Sequence, residues 1–389
     1  MTHASDEPGL VVIGSGPAGL SAADAFRQRD SSTPVTILTD DEELPYERPP
    51  LSKEFLQGEA EADDAQLHPA DWFTEHDVRV VRGSAVEAID VAGRTVRVDG
   101  TSHPYRSLVL ACGAGPVAPP FPGGDTALLL RSLADARRLR TRAEGATSAV
   151  VIGAGFIGCE AAASLARRGL TATLVAPSAV PQAKRLGERA GGRIVDMLRA
   201  AGAEYRGGVS VEAIEDGVVR LDDGSTLEAD LILAATGVQP RSALAEAAGI
   251  AVEDGRILVD AGMRTSVDGV FAAGDVAWAH NPAAGRRIAV EHWQDADDHG
   301  AVAGANAAGA REEWTSVPGF WTTIGDATLK YHAWGDGYDD EHFVDHGDGF
   351  TVWYERDGSV VAVLTHEADD DYDRGEELVA KGLPLPASR

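Results

Sequence analysis

Cysteine is almost missing from this 389-residue chain: Cys112 and Cys159 are the only two, far apart and each beside glycine in an apolar run. That argues against a disulfide-stapled scaffold and against a cysteine metal site, and it leaves small buried side chains as the reading of both. No stretch reaches the roughly 18 to 20 apolar residues that a membrane span requires. The first nine residues are polar and acidic, with neither a basic start nor an apolar run behind it, so the chain reads as soluble and cytoplasmic. Positive charge is scarce as well: 34 Lys and Arg stand against 62 Asp and Glu, a formal net charge of −28. Nucleic acid and anionic membranes both need clustered cations to displace counterions, so neither is an expected partner. The one basic cluster, Arg137, Arg138, Arg140 and Arg142, falls on an expected helix from Arg131 to Arg142. It reads either as a solvated face or as a docking patch for an acidic protein.

What the chain does have is glycine placed at the ends of apolar strands. Leu10 to Ile13 feeds Gly14-x-Gly16-x-x-Gly19, which opens a small-residue helix from Pro17 to Arg29. Gly14 permits the turn, Gly16 lets backbone approach a pyrophosphate, and Gly19 lets the helix lie on the strand; the helix N-terminus offers N–H groups and the positive end of its dipole. A second strand, Val35 to Leu38, runs on to Asp40 and Asp41, about twenty residues past the last glycine, where a carboxylate accepts from a ribose diol. A tight strand-to-helix turn with no ligand is the plainer alternative. The arrangement then recurs at Gly153-x-Gly155-Phe156-Ile157-Gly158, with a helix from Phe156 to Arg168 and a strand from Thr171 to Ala176. One chain with two such turns usually holds two dinucleotides, because each βαβ unit cradles one pyrophosphate. That suggests electron transfer between cofactors.

Between the turns, Pro49 and Pro50 stiffen a segment that presents Arg48 and Lys53, either as working cations or as solvated charge. Val78 to Val81, Val86 to Asp90 and Thr95 to Val98 read as a small antiparallel meander, Leu108 to Gly115 as a buried strand ending in glycines, and Pro116 to Pro122 as a linker. A helix from Glu188 to Ala201 and a meander from Val209 to Asp223 repeat that plan, ending in the run from Asp230 to Gly237. Gly269 to Gly274 is a further buried strand that delivers Asp275 to a strand end, where it either binds sugar hydroxyls or caps a helix. Glu291-His292-Trp293 begins a helix reaching Ala310, and from Val317 onward alternating aromatic and β-branched residues predict an antiparallel C-terminal sheet. The expected fold class is α/β, with two Rossmann-like dinucleotide-binding domains carrying antiparallel meanders and a C-terminal α+β domain on an antiparallel sheet. The expected boundaries are 1–118 with 238–312 for the first domain, 119–237 for the second and 313–389 for the third.

With these pieces placed, the chain resembles the two-dinucleotide flavoprotein reductases, and within them the family of putidaredoxin reductase, the dioxygenase ferredoxin reductases and apoptosis-inducing factor. The residues that carry the resemblance are Pro45-Tyr-Glu-Arg-Pro-Pro-Leu-Ser-Lys53, Gly274-Asp275, the spacing of Arg287, Glu291 and Trp293, and Pro318-Gly-Phe-Trp321. Similarity runs from Val11 to about Tyr354. The resemblance implies FAD on the first turn (Gly14, Gly16, Pro17, Ala18, Gly19) and NAD(P)H on the second (Gly153, Gly155, Phe156, Ile157, Gly158), with the C-terminal sheet covering the flavin. It implies Asp40, with Asp41 beside it, on the FAD ribose, Arg48 on the diphosphate, Asp275 on the ribityl chain and Trp321 at the flavin face. Lys53 near the flavin's reactive nitrogen, paired with Glu160, is the implied catalytic pair. Further cofactor contacts are implied at Val86, Ala111, Gly113, Arg131, Gly237, Gly274, Glu291, His292 and Trp293, and no metal site is implied.

Hydride passes directly from nicotinamide to flavin, so the protein is expected to supply alignment and electrostatics rather than a nucleophile or base. The expected function is that of an FAD-dependent NAD(P)H oxidoreductase, monomer or homodimer, passing electrons to a small iron–sulfur protein such as a ferredoxin. Two departures from the family pattern stand out. Ala176 occupies the strand end where NADH-preferring relatives carry a carboxylate, and Lys184 or Arg185 could meet a 2′-phosphate, so NADPH is expected at least as much as NADH. The acidic balance leaves the acceptor open, because two negative proteins must dock through a local basic patch. The alternatives are an NAD(P)H oxidase or other small-acceptor reductase, and a redox-sensing flavoprotein like apoptosis-inducing factor. A disulfide reductase is disfavoured because no Cys-x4-Cys follows the first βαβ unit.

Overall fold

The computed structural model describes residues 7–386, so most of the polar N-terminal segment lies outside the described residues. The chain forms two compact units. One gathers Met1–Glu47, Gln66–Gly115 and Gln239–Pro318; the other gathers Arg48–Ala65, Pro116–Val238 and Gly319–Arg389.

In the first unit, five strands run parallel in the order Val78–Val81, Val35–Leu38, Gly9–Ile13, Thr101–Leu110, Val270–Ala272. Strands covered on both faces are apolar throughout rather than alternating, and Gly9–Ile13 is buried along its whole length. Because the strands point the same way, the residues that follow them gather at one edge: Gly14, Thr39, Ala111 and Ala273. Helices Pro17–Arg27 and Trp293–Ala307 touch backbone to backbone, since a Cβ on Gly300 would fall 2.2 Å from the Ala18 carbonyl oxygen and one on Gly304 2.0 Å from that of Ala22.

Val78–Val81 is not part of the meander: it pairs in parallel with Val35–Leu38. A parallel neighbour needs a crossover, and the short helix Ala70–Glu75, not expected from the sequence, lies in it. The meander consists instead of Val86–Asp90, Thr95–Val98 and the first half of Thr101–Leu110, whose second half belongs to the parallel sheet. That strand stops at Leu110 rather than running to Gly115. A four-stranded sheet from Val252–Glu253 to Arg286–Ala289 was also not expected. The helix after it spans Trp293–Ala307, short of both Glu291 and Ala310.

In the second unit, four parallel strands run in the order Glu204–Gly207, Thr171–Ala176, Ser148–Ile152, Leu231–Ala234, with helix Phe156–Arg167 following the second glycine turn. A three-stranded meander, Val211–Glu215, Val218–Leu221 and Thr226–Glu228, shares a core in which Val150, Ile152 and Val175 of the sheet meet Ile214, Val219 and Leu221. The C-terminal sheet has five antiparallel strands, ordered Gly319–Ile324, Ala327–Ala333, Ser359–His366, Phe350–Arg356, Asp340–Asp345. Helix Asp369–Lys381 packs on it. The helix expected from Glu188 begins earlier, at Ala183, and ends at Ala200, broken at Gly187. There φ is 82° and ψ 170°, a conformation that glycine adopts and side-chain-bearing residues avoid. The basic helix spans Leu133–Glu144; Ser132 and Asp135 cap it reciprocally, which leaves Arg131 ahead of the cap.

Candidate active site

At the strand edge of the first unit, packing dictates two of the three glycines. Gly14 has φ +110° and a Cβ there would lie 2.2 Å from the Ala111 carbonyl oxygen; on Gly19 it would lie 2.0 Å from that of Gly14. Helix Pro17–Arg27 begins at Gly16 with no side-chain cap, so its first turn, with Ala18, is open to an anion. Asp41 is committed to its own loop, accepting from Tyr46 Oη at 2.6 Å and from the Glu43 amide at 3.1 Å. Asp40 is exposed, with Arg241 at 3.8 Å. The Ser84 amide donates to the Thr39 carbonyl, which brings the start of the Val86–Asp90 strand to the same edge.

Ala111 and Gly113 flank Cys112, whose thiol is pushed up to about 11 by burial and is therefore held as the unreactive thiol. Cys112 is half-buried rather than fully buried, while Cys159 is fully buried, and both are free. Asp275 is 7% exposed, in the turn Gly274–Val276 directly after strand Val270–Ala272. Arg256 donates to the Asp275 carbonyl and, at 2.5 Å, to Glu291 Oε1, so Glu291 is held by an arginine of its own unit. His292 is the N-cap of the helix that Trp293 begins.

The second unit repeats the turn. A Cβ on Gly153 would lie 2.5 Å from the Ala235 carbonyl oxygen and one on Gly158 2.0 Å from that of Gly153, whereas one on Gly155 would have nothing nearer than 4.0 Å. Protein packing thus does not demand glycine at 155, and the missing side chain leaves room against a helix N-terminus that has no side-chain cap. Gly237, with φ +111°, likewise borders open space, and Ile157 is 37% exposed. These cradles fit a dinucleotide phosphate. The adjoining strand ends at Ala176, which is 3% exposed, and the loop beyond is held over the next strand by Tyr205 Oη donating to the Ser178 carbonyl at 2.7 Å. Lys184 and Arg185 are exposed.

One turn into helix Phe156–Arg167, Glu160 turns inward and is 6% exposed; Lys53 is 7% exposed with its Nζ 3.5 Å from Glu160 Oε2. Lys53 Nζ also donates to the Pro49 carbonyl, across the 3-10 turn Pro49–Ser52 that the half-buried Arg48 precedes. Burying a cation costs least where a carboxylate and a further acceptor meet it, and Glu160 and the Pro49 carbonyl do so here. Trp321 is 43% exposed on strand Gly319–Ile324. Three further residues of this cluster carry no recognisable motif of their own: Ser52, Thr322 and Thr323, which donate to Glu160 from 108 to 163 positions away. Such distances leave no spacing to read, although Ser52 adjoins Lys53.

Two glycine turns opening uncapped helices on parallel sheets, with the buried Lys53 paired to Glu160 on the helix that leaves the second, define a flavoprotein oxidoreductase that handles two dinucleotides. The chain belongs to the pyridine nucleotide-disulphide oxidoreductase family, whose model matches residues 8–300. FAD and NAD(P)H are its cofactors. It is 34% identical, over 97% of its length and 95% of the relative's, to the anthranilate 1,2-dioxygenase system ferredoxin–NAD(+) reductase component of Burkholderia cepacia. It is 30% identical to apoptosis-inducing factor 3 of Mus musculus, of which it spans 64%. Among solved structures, it matches a chain of the covalent putidaredoxin reductase–putidaredoxin complex with a TM-score of 0.91 and 28% identity, covering 98% of this chain and 95% of that one.

Proposed function

We propose that the protein takes hydride from a nicotinamide onto FAD and passes the electrons singly to a small iron–sulfur protein of the ferredoxin type. The observation that carries this reading is the buried pair between Lys53 and Glu160, the latter on the helix of the second glycine turn. FAD accepts electrons in pairs and releases them one at a time, which neither a nicotinamide nor an iron–sulfur cluster does alone. In this reading Lys53 offsets negative charge on the reduced flavin, and Glu160 holds the lysine in place. Gly14, Gly16, Pro17, Ala18 and Gly19 receive the FAD pyrophosphate, with Arg48 adding charge, Asp40 and Asp41 at the ribose and Asp275 at the ribityl chain. Val86, Ala111, Gly113, Gly274, Glu291, His292 and Trp293 complete the FAD surroundings. Gly153, Gly155, Phe156, Ile157 and Gly158 receive NAD(P)H, with Arg131 and Gly237 beside them, and Trp321 shields the flavin face from water.

The functional domains in this reading are 1–118 with 238–312 for FAD, 119–237 for NAD(P)H and 313–389 for the C-terminal sheet. NADPH serves at least as well as NADH, because Ala176 offers no carboxylate to a 2′-hydroxyl. The protein works in the cytoplasm as a monomer or homodimer, with neither nucleic acid nor membrane as partner. No helix among the described residues is long and apolar enough to cross a membrane. The raised thiols of Cys112 and Cys159 speak against dithiol chemistry. The ferredoxin named for the Burkholderia relative supports the choice of acceptor. The test is cytochrome c reduction by protein and nicotinamide with and without added ferredoxin. Reduction that requires ferredoxin is expected; peroxide formed at the same rate either way would make the protein an oxidase instead.

A further inference from the structure

Glu160 is held by more than its lysine. Ser52 Oγ donates to Oε2 at 2.5 Å and Thr322 Oγ1 donates to Oε1 at 2.6 Å, both shorter than the 3.5 Å to Lys53 Nζ, while the Thr323 amide reaches Oε1 at 3.4 Å. Each hydroxyl takes a different oxygen, so the carboxylate cannot rotate without losing one of them. Hydrogen bonds from hydroxyl to carboxylate are among the stronger ones, and these are sealed from water, with Ser52 5% and Thr322 1% exposed.

Thr322 lies on strand Gly319–Ile324, where side chains alternate: Phe320 and Thr322 point inward, and Trp321 between them points outward. The Phe320 ring meets that of Phe156, the first residue of the helix, with centroids 4.6 Å apart. The strand is therefore pinned to the helix at two neighbouring inward positions, Phe320 on Phe156 and Thr322 on Glu160, and these pins set where Trp321 stands. On the other side of the carboxylate, Ser164, one turn beyond Glu160, donates to the Ser52 carbonyl at 2.8 Å and accepts from Gln57 Nε2 at 3.1 Å. The segment carrying Lys53 is thus clamped to the same helix.

We infer that Thr322 and Ser52 are positioning residues, which act through Glu160 to hold Lys53 and Trp321 in register with the helix that leaves the second glycine turn. The inference rests on the roles proposed above for Lys53 and Trp321 and deepens them. Thr322→Val keeps the shape and removes the donor, Thr322→Ser restores the donor, and Ser52→Ala empties the other oxygen. In anaerobic reduction by NAD(P)H, Thr322→Val is expected to lower the limiting rate about tenfold with the half-saturating nicotinamide concentration changed less than about twofold, and Thr322→Ser to recover most of that rate. The long-wavelength absorbance of the nicotinamide-reduced protein, which reports alignment of the two rings rather than turnover, weakens in Thr322→Val and returns in Thr322→Ser. The double variant Ser52→Ala/Thr322→Val departs from the product of the single effects, because both donors share one carboxylate.

An unchanged rate and absorbance in Thr322→Val overturns the inference, and so does a Thr322→Ser variant as slow as Thr322→Val, which would assign the effect to shape. Should Thr322→Val fail to fold, Ser52→Ala carries the same rate and absorbance test on the opposite oxygen. Lys53→Ala separates this inference from the reading beneath it. If that variant reduces at the parental rate, the role of Lys53 falls; if it is slow while Thr322→Val is not, only the positioning role falls.

Discussion

The two glycine turns are near copies in backbone and differ in what surrounds them. Gly14 and Gly153 have φ of +110° and +104°, and a Cβ on Gly19 or Gly158 would stand 2.0 Å from the carbonyl oxygen of the first glycine of its turn. The neighbouring strands then part: one leads into Thr39-Asp40-Asp41, the other ends at Ala176 and leads into Pro177-Ser178. The helices part too. Ser21 and Glu160 each lie two residues past the third glycine; Ser21 donates to the Asp297 carbonyl at 2.9 Å, whereas Glu160 gathers a lysine and two hydroxyls. The turn itself serves any pyrophosphate and the end of the next strand selects the sugar; in the proposed reading, the second turn of the helix separates a holding site from a reacting one.

Five substitutions sharpen that contrast, the largest effect first. Gly19→Ala and Gly158→Ala each force a methyl group into a backbone carbonyl, at a cost of about 2 kcal/mol or more. The first is expected to yield colourless protein, the second a yellow protein with much weakened nicotinamide binding, both read by flavin absorbance and a nicotinamide titration; identical losses would erase the distinction between the turns. Lys53→Ala should keep FAD yet slow anaerobic hydride transfer about 100-fold. Ala176→Asp copies the first turn's acidic strand end into the second and should move the ratio of kcat/KM values about tenfold toward NADH, by pairing a ribose hydroxyl and repelling a 2′-phosphate. Ser21→Ala should lower unfolding free energy by about 1 kcal/mol, measured by urea, and leave the hydride rate alone.

Features written locally were legible in the sequence. The order of strand, tight turn and helix can be read twice because its residues are neighbours, and the alternation from Val317 onward marks an antiparallel sheet for the same reason. The direction of Val78–Val81 was not legible: a β-branched run looks alike in either orientation, and the crossover helix Ala70–Glu75 has only six residues, too few to show a helical period. The break at Gly187 was hidden because a single glycine inside a helical pattern does not by itself announce a left-handed φ. Hidden too was the setting of Glu160, whose hydroxyl partners come from segments 108 and 162 positions away. In the site, the turns announce themselves and the carboxylate's surroundings do not.

The most direct measurement is an anaerobic titration of the purified protein followed by flavin absorbance. NAD(P)H should bleach the flavin band stoichiometrically, and oxidised ferredoxin, which accepts one electron per molecule, should restore it at two molecules per flavin. A band that NAD(P)H leaves intact, or one that bleaches and stays bleached when ferredoxin is added, would contradict the account.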